Sequence, residues 1–216
     1  KEDDKVVPLL IECGLPFVII GTPTKRLNQI LYVDNDNILA AREATEYLIN
    51  RGHKRIAFIG DDPDFEVARA RLEGYNQAML SNHLEIFEGY EKFIKFDPEQ
   101  GKTVVNELMN HSKVPTGIVV TDDLNALIVI SVIRDLNYRI PDEVSVISFN
   151  NSMLSRVSNP PVTSVDVQIY ELGYESAKCV IEEIKEPSKV KKSVIIPTII
   201  TERESCQHVS DFNMQQ

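Results

Sequence analysis

The chain has 216 residues, is 43% hydrophobic and 26% charged, and carries a formal net charge of −10. Those values fit a globular chain long enough to bury a core without staples, as one large domain or two small ones. They exclude a bilayer-crossing helix, since no apolar run approaches the roughly 20 residues required, and they exclude a nucleic-acid surface of the chain's own, which needs Lys and Arg gathered on one face.

The first stretch, "KEDDKVVPLL", is acidic and has no signal-peptide core. Residues 1–20 read as the end of a helix followed by a strand, "PFVII" at 16–20. A doubly wound domain does not normally start this way, so earlier βα units are expected upstream. A second strand, "QILYV" (29–33), leads to a helix over 38–51 that ends in "RGH", where Gly52 suits a left-handed C′ position. Strand "RIAFIG" (55–60) then precedes a helix over 64–81. In that helix Phe65, Ala68, Leu72, Tyr75 and Met79 recur at core spacing, and Arg69 falls on the solvated side. Arg71 shares its row with Val67, Gly74 and Ala78, all small or apolar. It therefore needs either a carboxylate or a polar ligand, and spacing alone favours a structural ion pair.

Strand "KFIKF" (92–96) ends in Phe96, which periodicity assigns to the core and position to a cleft edge. Asp97, Pro98 and Gln100 supply an N-cap, a proline at N1 and a Gln at N3 for a helix over 98–111. Strand "GIVVT" (117–121) runs into Asp122-Asp123 and an apolar helix over 123–137. One carboxylate should cap that helix, leaving the other to face the cleft; the alternative is that both are caps or solvated. Strand "VSVISF" (144–149) ends in Asn150-Asn151, a helix covers 168–185, and "SVIIPTIITE" (193–202) reads as one further strand. Residues 207–216 form a tail. Apolar strands alternating with helices predict parallel α/β sheet, with function at the strand-to-helix turns Asp36-Asn37, Asp61-Asp62 and Asp122-Asp123.

Catalytic and metal signatures are missing: no phosphate loop, no GxGxxG, no GxSxG and no HExxH. His53, His83, His111 and His208 adjoin no nucleophile signature, and His53, at a helix end, reads as structural. A phosphoacceptor reading of Asp122-Asp123 fails because "VISFNN" offers no Lys. Cys13, Cys179 and Cys206 are an odd number without CxxC spacing, which argues against disulfides and zinc and points to a reducing cytoplasm. A binding protein without cofactor or metal is expected, not an enzyme.

The ordered stretches "VDNDN", "AAREATEYLINRGHKRIAFIG", "ARARLEGY", "GIVVTDDLNAL", "RIPDEVSVISFNN" and "NPPVTSVD" resemble the effector-binding core of the GalR/LacI family of transcriptional regulators over about residues 14–205. "LPFVIIGTP" further resembles the maltose-operon repressors of Gram-positive bacteria. The resemblance implies an α/β, periplasmic-binding-protein-like fold of two doubly wound parallel-sheet subdomains joined by three crossover strands, with the N-terminal subdomain incomplete. Its parts would be 1–34 with 167–196, 35–166 with 197–206, and the tail. The crossings should fall near Val33–Asp36, Pro161–Val167 and Ile195–Ile200, with the prolines limiting how the halves hinge. The implied effector contacts are Arg71, Asp122, Asn150 and Phe96, joined by Phe65 and Asp36 beside the same strand ends. Two departures bear on specificity: Gly21 and Asn150 stand where many members carry a carboxylate. The expected partners are a mono- or disaccharide effector, a second copy of the chain, and operator DNA through an upstream helix-turn-helix, with no membrane. A secreted sugar-binding protein of a transporter shares the architecture and is the alternative.

Overall fold

The computed structural model describes residues 5–23, 29–95, 97–187 and 190–209. Two sheets organise them. The smaller contains β1 (Ile19–Ile20), β2 (Tyr32–Asn35) and β8 (Ser193–Ile196), all parallel in the order β1-β2-β8. Helix α1 (Val6–Glu12) precedes β1, α7 (Ile169–Lys185) packs on the sheet, and Leu31, Val33, Val167, Leu172, Cys179 and Ile196 form its core.

The larger sheet has six strands in the order β4-β3-β5-β6-β7-β9: β3 (Ile56–Gly60), β4 (Glu91–Phe93), β5 (Gly117–Val120), β6 (Ser145–Phe149), β7 (Thr163–Asp166) and β9 (Ile199–Thr201). Both faces are covered, so its inner strands are buried on both sides and mostly apolar, as a parallel sheet demands, with buried hydroxyl residues such as Ser148 and Ser164 held in hydrogen bonds. Ala57, Ile59, Ile118, Val120 and Val146 point to one side, against α4 (Pro98–Met109) and α5 (Asp123–Asp135). Ile56, Phe58, Val119, Ile147 and Phe149 point to the other, against α2 (Asn37–Ile49) and α3 (Glu66–Ser81). From β3 the chain moves one way to β4 and the other way to β5. The carboxyl ends of β3 and β5 therefore flank the topological switch point, where open α/β sheets hold their ligands.

The chain passes between the sheets after β2, after β7 and between β8 and β9. One side chain joins all three passages. Asn35, buried at the end of β2, donates through Nδ2 to the carbonyls of Val167 (3.1 Å) and Ile196 (2.9 Å). Buried carbonyls left without such a partner would be costly, so the amide fixes where the three strands cross.

Several sequence expectations are corrected. The single strand over 193–202 is two, interrupted at Pro197-Thr198, because its halves pair in different sheets. The larger sheet is not purely parallel: β9 runs antiparallel to β7. Pro160 and Pro161 precede β7 and lie at the end away from the second passage, which follows Asp166; they cannot limit the hinge there. A short helix, α6 (Met153–Val157), stands between β6 and β7 where none was expected, capped by Ser152. Gln100 does not close a capping box with Asp97: its Oε1 accepts from the Lys95 N–H, while Asp97 caps α4 through the Glu99 N–H. Gly52 has φ +89°, and Asp36 caps α2 through the Leu39 N–H, as their positions in sequence require.

His53 is buried between Thr116 Oγ1 and the Gln207 carbonyl, each 3.1 Å from a ring nitrogen. Burial lowers its pKa from 6.5 to about 4. The unfolded chain therefore takes up a proton that the folded chain refuses, and stability falls as pH drops through this window. Urea unfolding should show a loss of about 2 kcal/mol from this residue between pH 7.5 and pH 5. The His53→Gln variant should have a correspondingly flatter acid limb; an unchanged pH dependence would contradict the assignment.

Candidate functional site

The site is built where the carboxyl ends of the two sheets face each other. A cavity of about 420 Å³ lies there, lined by Gly21, Thr22, Asp34 and Ile195 from the smaller sheet's end and by Asn35 at the first passage. Its other wall is the start of α2 (Asp36, Asn37, Ile38) and the first turn and a half of α3 (Phe65, Glu66, Val67, Ala70). Thr22 donates from Oγ1 to Asp34 Oδ2 at 2.8 Å.

Arg71 stands behind this wall, only 7% exposed. It is placed by the close approach of α2 and α3. A Cβ at Gly74 would come within 2.1 Å of the Ile38 carbonyl, so only glycine permits the contact. That contact brings Asn37 Oδ1 to 3.1 Å from Arg71 Nε. Nη1 donates to the Thr121 carbonyl at 2.6 Å, and the guanidinium lies 4.3 Å from the centre of the Phe149 ring. The ion pair favoured by spacing is absent: among the described residues no carboxylate lies within 4.0 Å of Arg71, and Nη2 has no hydrogen-bond partner. Burial lowers its pKa from 12.5 to about 10, with Asp122, Asp34 and Asp61 pulling the other way, so it stays charged at neutral pH.

The two aspartates after β5 do not divide the work as expected. Asp122 is the cap and uses both of its oxygens. Its Oδ1 accepts from the N–H groups of Leu124 (2.7 Å) and Asn125 (3.4 Å), capping α5, while Oδ2 accepts from Asn150 Nδ2 at 2.7 Å. Asp123 is not at the cleft. It is 2% exposed and holds three elements together, accepting from Ser148 Oγ (2.5 Å), Ser164 Oγ (2.9 Å) and the Ser152 N–H (2.7 Å). The adjacent asparagines divide as well. Asn150, at φ +94°, turns to Asp122, whereas Asn151 donates to Asp166 Oδ2 at 2.8 Å and accepts from Arg203 Nη2, tying β6 to the second passage. An aspartate at 150 would face the Asp122 carboxylate, whereas the amide supplies a donor; this is a physical reason for the first departure. The second has one too. Gly21 has φ +110°, which strains any other residue, and the neighbouring Asp34 supplies a carboxylate to the same cavity.

Of the residues expected at the site, Arg71, Asp122 and Asn150 gather at the switch point, and Asp36 and Phe65 line the cavity, Asp36 also capping α2. Phe65 is half-buried at the N-cap of α3 and does not belong to the buried stripe of Ala68, Tyr75 and Met79. Phe96 lies outside the described residues. Three participants were not singled out as contacts: Asp34, Asn37 and Asp61. Asp61 follows β3, and its pKa is raised, first by burial and next by the charge of Asp122. Its place in a strand-to-helix turn was the available signal, and Asn37 shared it, although its bond to Arg71 depends on the packing of α2 on α3; for Asp34, on β2, only the cavity shows the role. Among the described residues no group of three or more His, Cys, Asp or Glu is placed to hold a metal ion, and no helix is long and apolar enough to cross a membrane. Acceptor carboxylates around one donor cation suit the binding of hydroxyl groups.

Comparison with known proteins places this geometry. The family model for the periplasmic binding protein-like domain matches residues 45–206. The chain is 29% identical to the HTH-type transcriptional regulator MalR of Staphylococcus xylosus over 213 residues, covering 98% of this chain and 61% of that protein. It superposes with a TM-score of 0.91 on the crystal structure of a putative transcriptional regulator LacI from Bacillus cereus subsp. cytotoxis NVH 391-98, at 41% identity, covering 97% of this chain and 74% of that one. The transcriptional regulator CelR in complex with cellobiose superposes with a TM-score of 0.88 at 31% identity, covering 94% of this chain and 62% of that one. The chain spans about 60% of the length of the curated relatives it matches.

The two neighbouring aspartates give a test by contrast. Asp122→Ala should cost about 1 kcal/mol of stability as a lost cap. Asp123→Ala leaves two buried hydroxyl donors and one part-buried N–H unpaired and should cost about 3 kcal/mol or more. Denaturant titration of both variants checks this; equal losses would contradict the assignment.

Proposed function

The chain belongs to the GalR/LacI family of transcriptional regulators, and on that premise we propose that it is the effector-binding and dimerisation core of a sugar-responsive transcriptional repressor. The observation that carries the reading is Arg71, buried at the switch point with an unpartnered Nη2 and with Asp122 and Asn150 beside it. The effector we favour is a glucose disaccharide of the maltose or cellobiose type. The resemblance of "LPFVIIGTP" to maltose-operon repressors supports the first, and the cellobiose-bound CelR structure supports the second.

In this reading the sugar sits between the two sheets. Hydroxyl oxygens accept from Arg71, hydroxyl hydrogens go to Asp122, and the Phe65 ring covers an apolar face of a pyranose. A ligand that touches both sheets shifts their relative orientation by its differential affinity for the two arrangements. Operator DNA would be bound through a helix-turn-helix, by a homodimer, in the cytoplasm, with the orientation of the sheets setting DNA affinity. The net charge of −10 fits a core that leaves DNA contact to other residues.

Thermal denaturation with maltose or cellobiose tests this. A ligand at about 100 times its dissociation constant stabilises by about 2.7 kcal/mol, so one of the two should raise the melting temperature. In Arg71→Met the response should vanish, while ligand-free stability changes by no more than about 1 kcal/mol, because removing a buried charge offsets the hydrogen bonds lost with it. A full response in that variant would contradict the role given to Arg71.

A further inference from the structure

We propose that the cleft is charge-selective: the carboxylates of Asp34, Asp61 and Asp122 around the single Arg71 guanidinium admit a neutral, hydroxyl-rich ligand and reject anionic sugars such as sugar phosphates and uronic acids. The inference rests on the sugar-binding reading above and narrows its ligand class.

Each carboxylate comes from a different strand end: Asp34 from β2, Asp61 from the turn after β3, Asp122 from the turn after β5. Each is hydrogen-bonded by neutral groups. Asp34 accepts from Thr22 Oγ1, the Asn35 N–H and Asn37 Nδ2; Asp61 from the Asp62 N–H; Asp122 from the N–H groups opening α5 and from Asn150 Nδ2. Among the described residues none of the three forms a salt bridge, and no Lys or Arg lines the cavity. Lys95, the cation bridged to this end of β3, is engaged by Asp62 at 3.2 Å. With Asp36 also in the cavity wall, four carboxylates against one guanidinium leave the cleft negative, and walls of low dielectric strengthen that field. A neutral sugar meets acceptors for its hydroxyl hydrogens and, at Arg71 Nη2, a donor for a hydroxyl oxygen. A phosphate or carboxylate on the same sugar meets Asp34 and Asp36 in the cavity wall, the field of Asp61 and Asp122 beside Arg71, and one cation already engaged by Asn37 and Thr121.

The test is calorimetric titration of the purified protein with ligands matched in shape and different in charge: cellobiose, cellobiouronic acid and the methyl ester of that acid, and in parallel maltose and maltose 6′-phosphate. For whichever disaccharide binds, the anionic partner should bind roughly tenfold more weakly or worse, and added salt should narrow the gap. The methyl ester should bind more tightly than the acid, since it restores neutrality at greater bulk. The double variant Asp34→Asn, Asp61→Asn should narrow the gap while keeping neutral hydrogen-bonding groups in place. An anionic sugar binding as tightly as its neutral partner would overturn the inference and leave the sugar-binding reading standing. So would an ester that binds as poorly as the acid, or a gap unchanged in the double variant. Failure of every sugar to bind would instead overturn the sugar-binding reading, and the inference with it.

Discussion

A guanidinium held inside a protein without a carboxylate in contact is the constraint around which this fold is arranged. Removing a cation from water costs several kcal/mol, and an ion pair is the usual remedy. Here Arg71 is held by an asparagine oxygen, a strand-end carbonyl and an aromatic face, with the balancing carboxylates beyond contact distance. That arrangement demands that α2 and α3 pack closely enough to bring Asn37 to Arg71, which Gly74 makes possible. It also demands that β5 end where the Thr121 carbonyl meets Nη1 and that β6 end in Phe149. A direct salt bridge would have satisfied the charge and occupied it. Leaving the counter-charges at a distance leaves Nη2 without a hydrogen-bond partner among the described residues, at some expense of stability, and under the proposed function that is what a ligand would use.

The same economy of partners links the two sheets. Asn35 ties together the backbones of all three passages, and Asn151 with Asp166 and Arg203 fastens β6 to the second passage. These amides lie beside the groups that would touch a ligand: Asn35 lines the cavity, and Asn151 follows Asn150. A sugar that changes the distance between the sheets must do so against this small set of hydrogen bonds. Few bonds at the passages, and two cores that do not depend on them, are what a hinged element needs if a ligand's binding energy is to be spent on orientation.

Much of this was legible from the residues. Apolar runs such as "RIAFIG" and "VSVISF" are buried on both faces, so their strands are visible without knowledge of the fold. Caps and turns at Asp36, Gly52, Asp97 and Asp122 follow from local chemistry. What stayed hidden depends on contacts between distant segments. "SVIIPTIITE" is uniformly β-forming, and nothing local tells that its halves pair with different sheets. The paired prolines drew the hinge to themselves, although the backbone turns between sheets only after Asp166. Asp122 and Asp123 are indistinguishable by composition; which one is withdrawn into the core is decided by the serines on β6 and β7 that close around Asp123. Arg71 is the reverse case. Its neighbours along the helix showed that it must be buried and partnered, but its partners come from α2, β5 and β6, beyond the reach of helical spacing.

The most direct test is a crystal structure of the protein grown with maltose or cellobiose. The account predicts the sugar between the two sheets, with a hydroxyl oxygen at hydrogen-bond distance from Arg71 Nη2 and hydroxyl groups on Asp122 and Asn150. A sugar bound elsewhere, with Arg71 still engaged only by Asn37, Thr121 and Phe149, would contradict it.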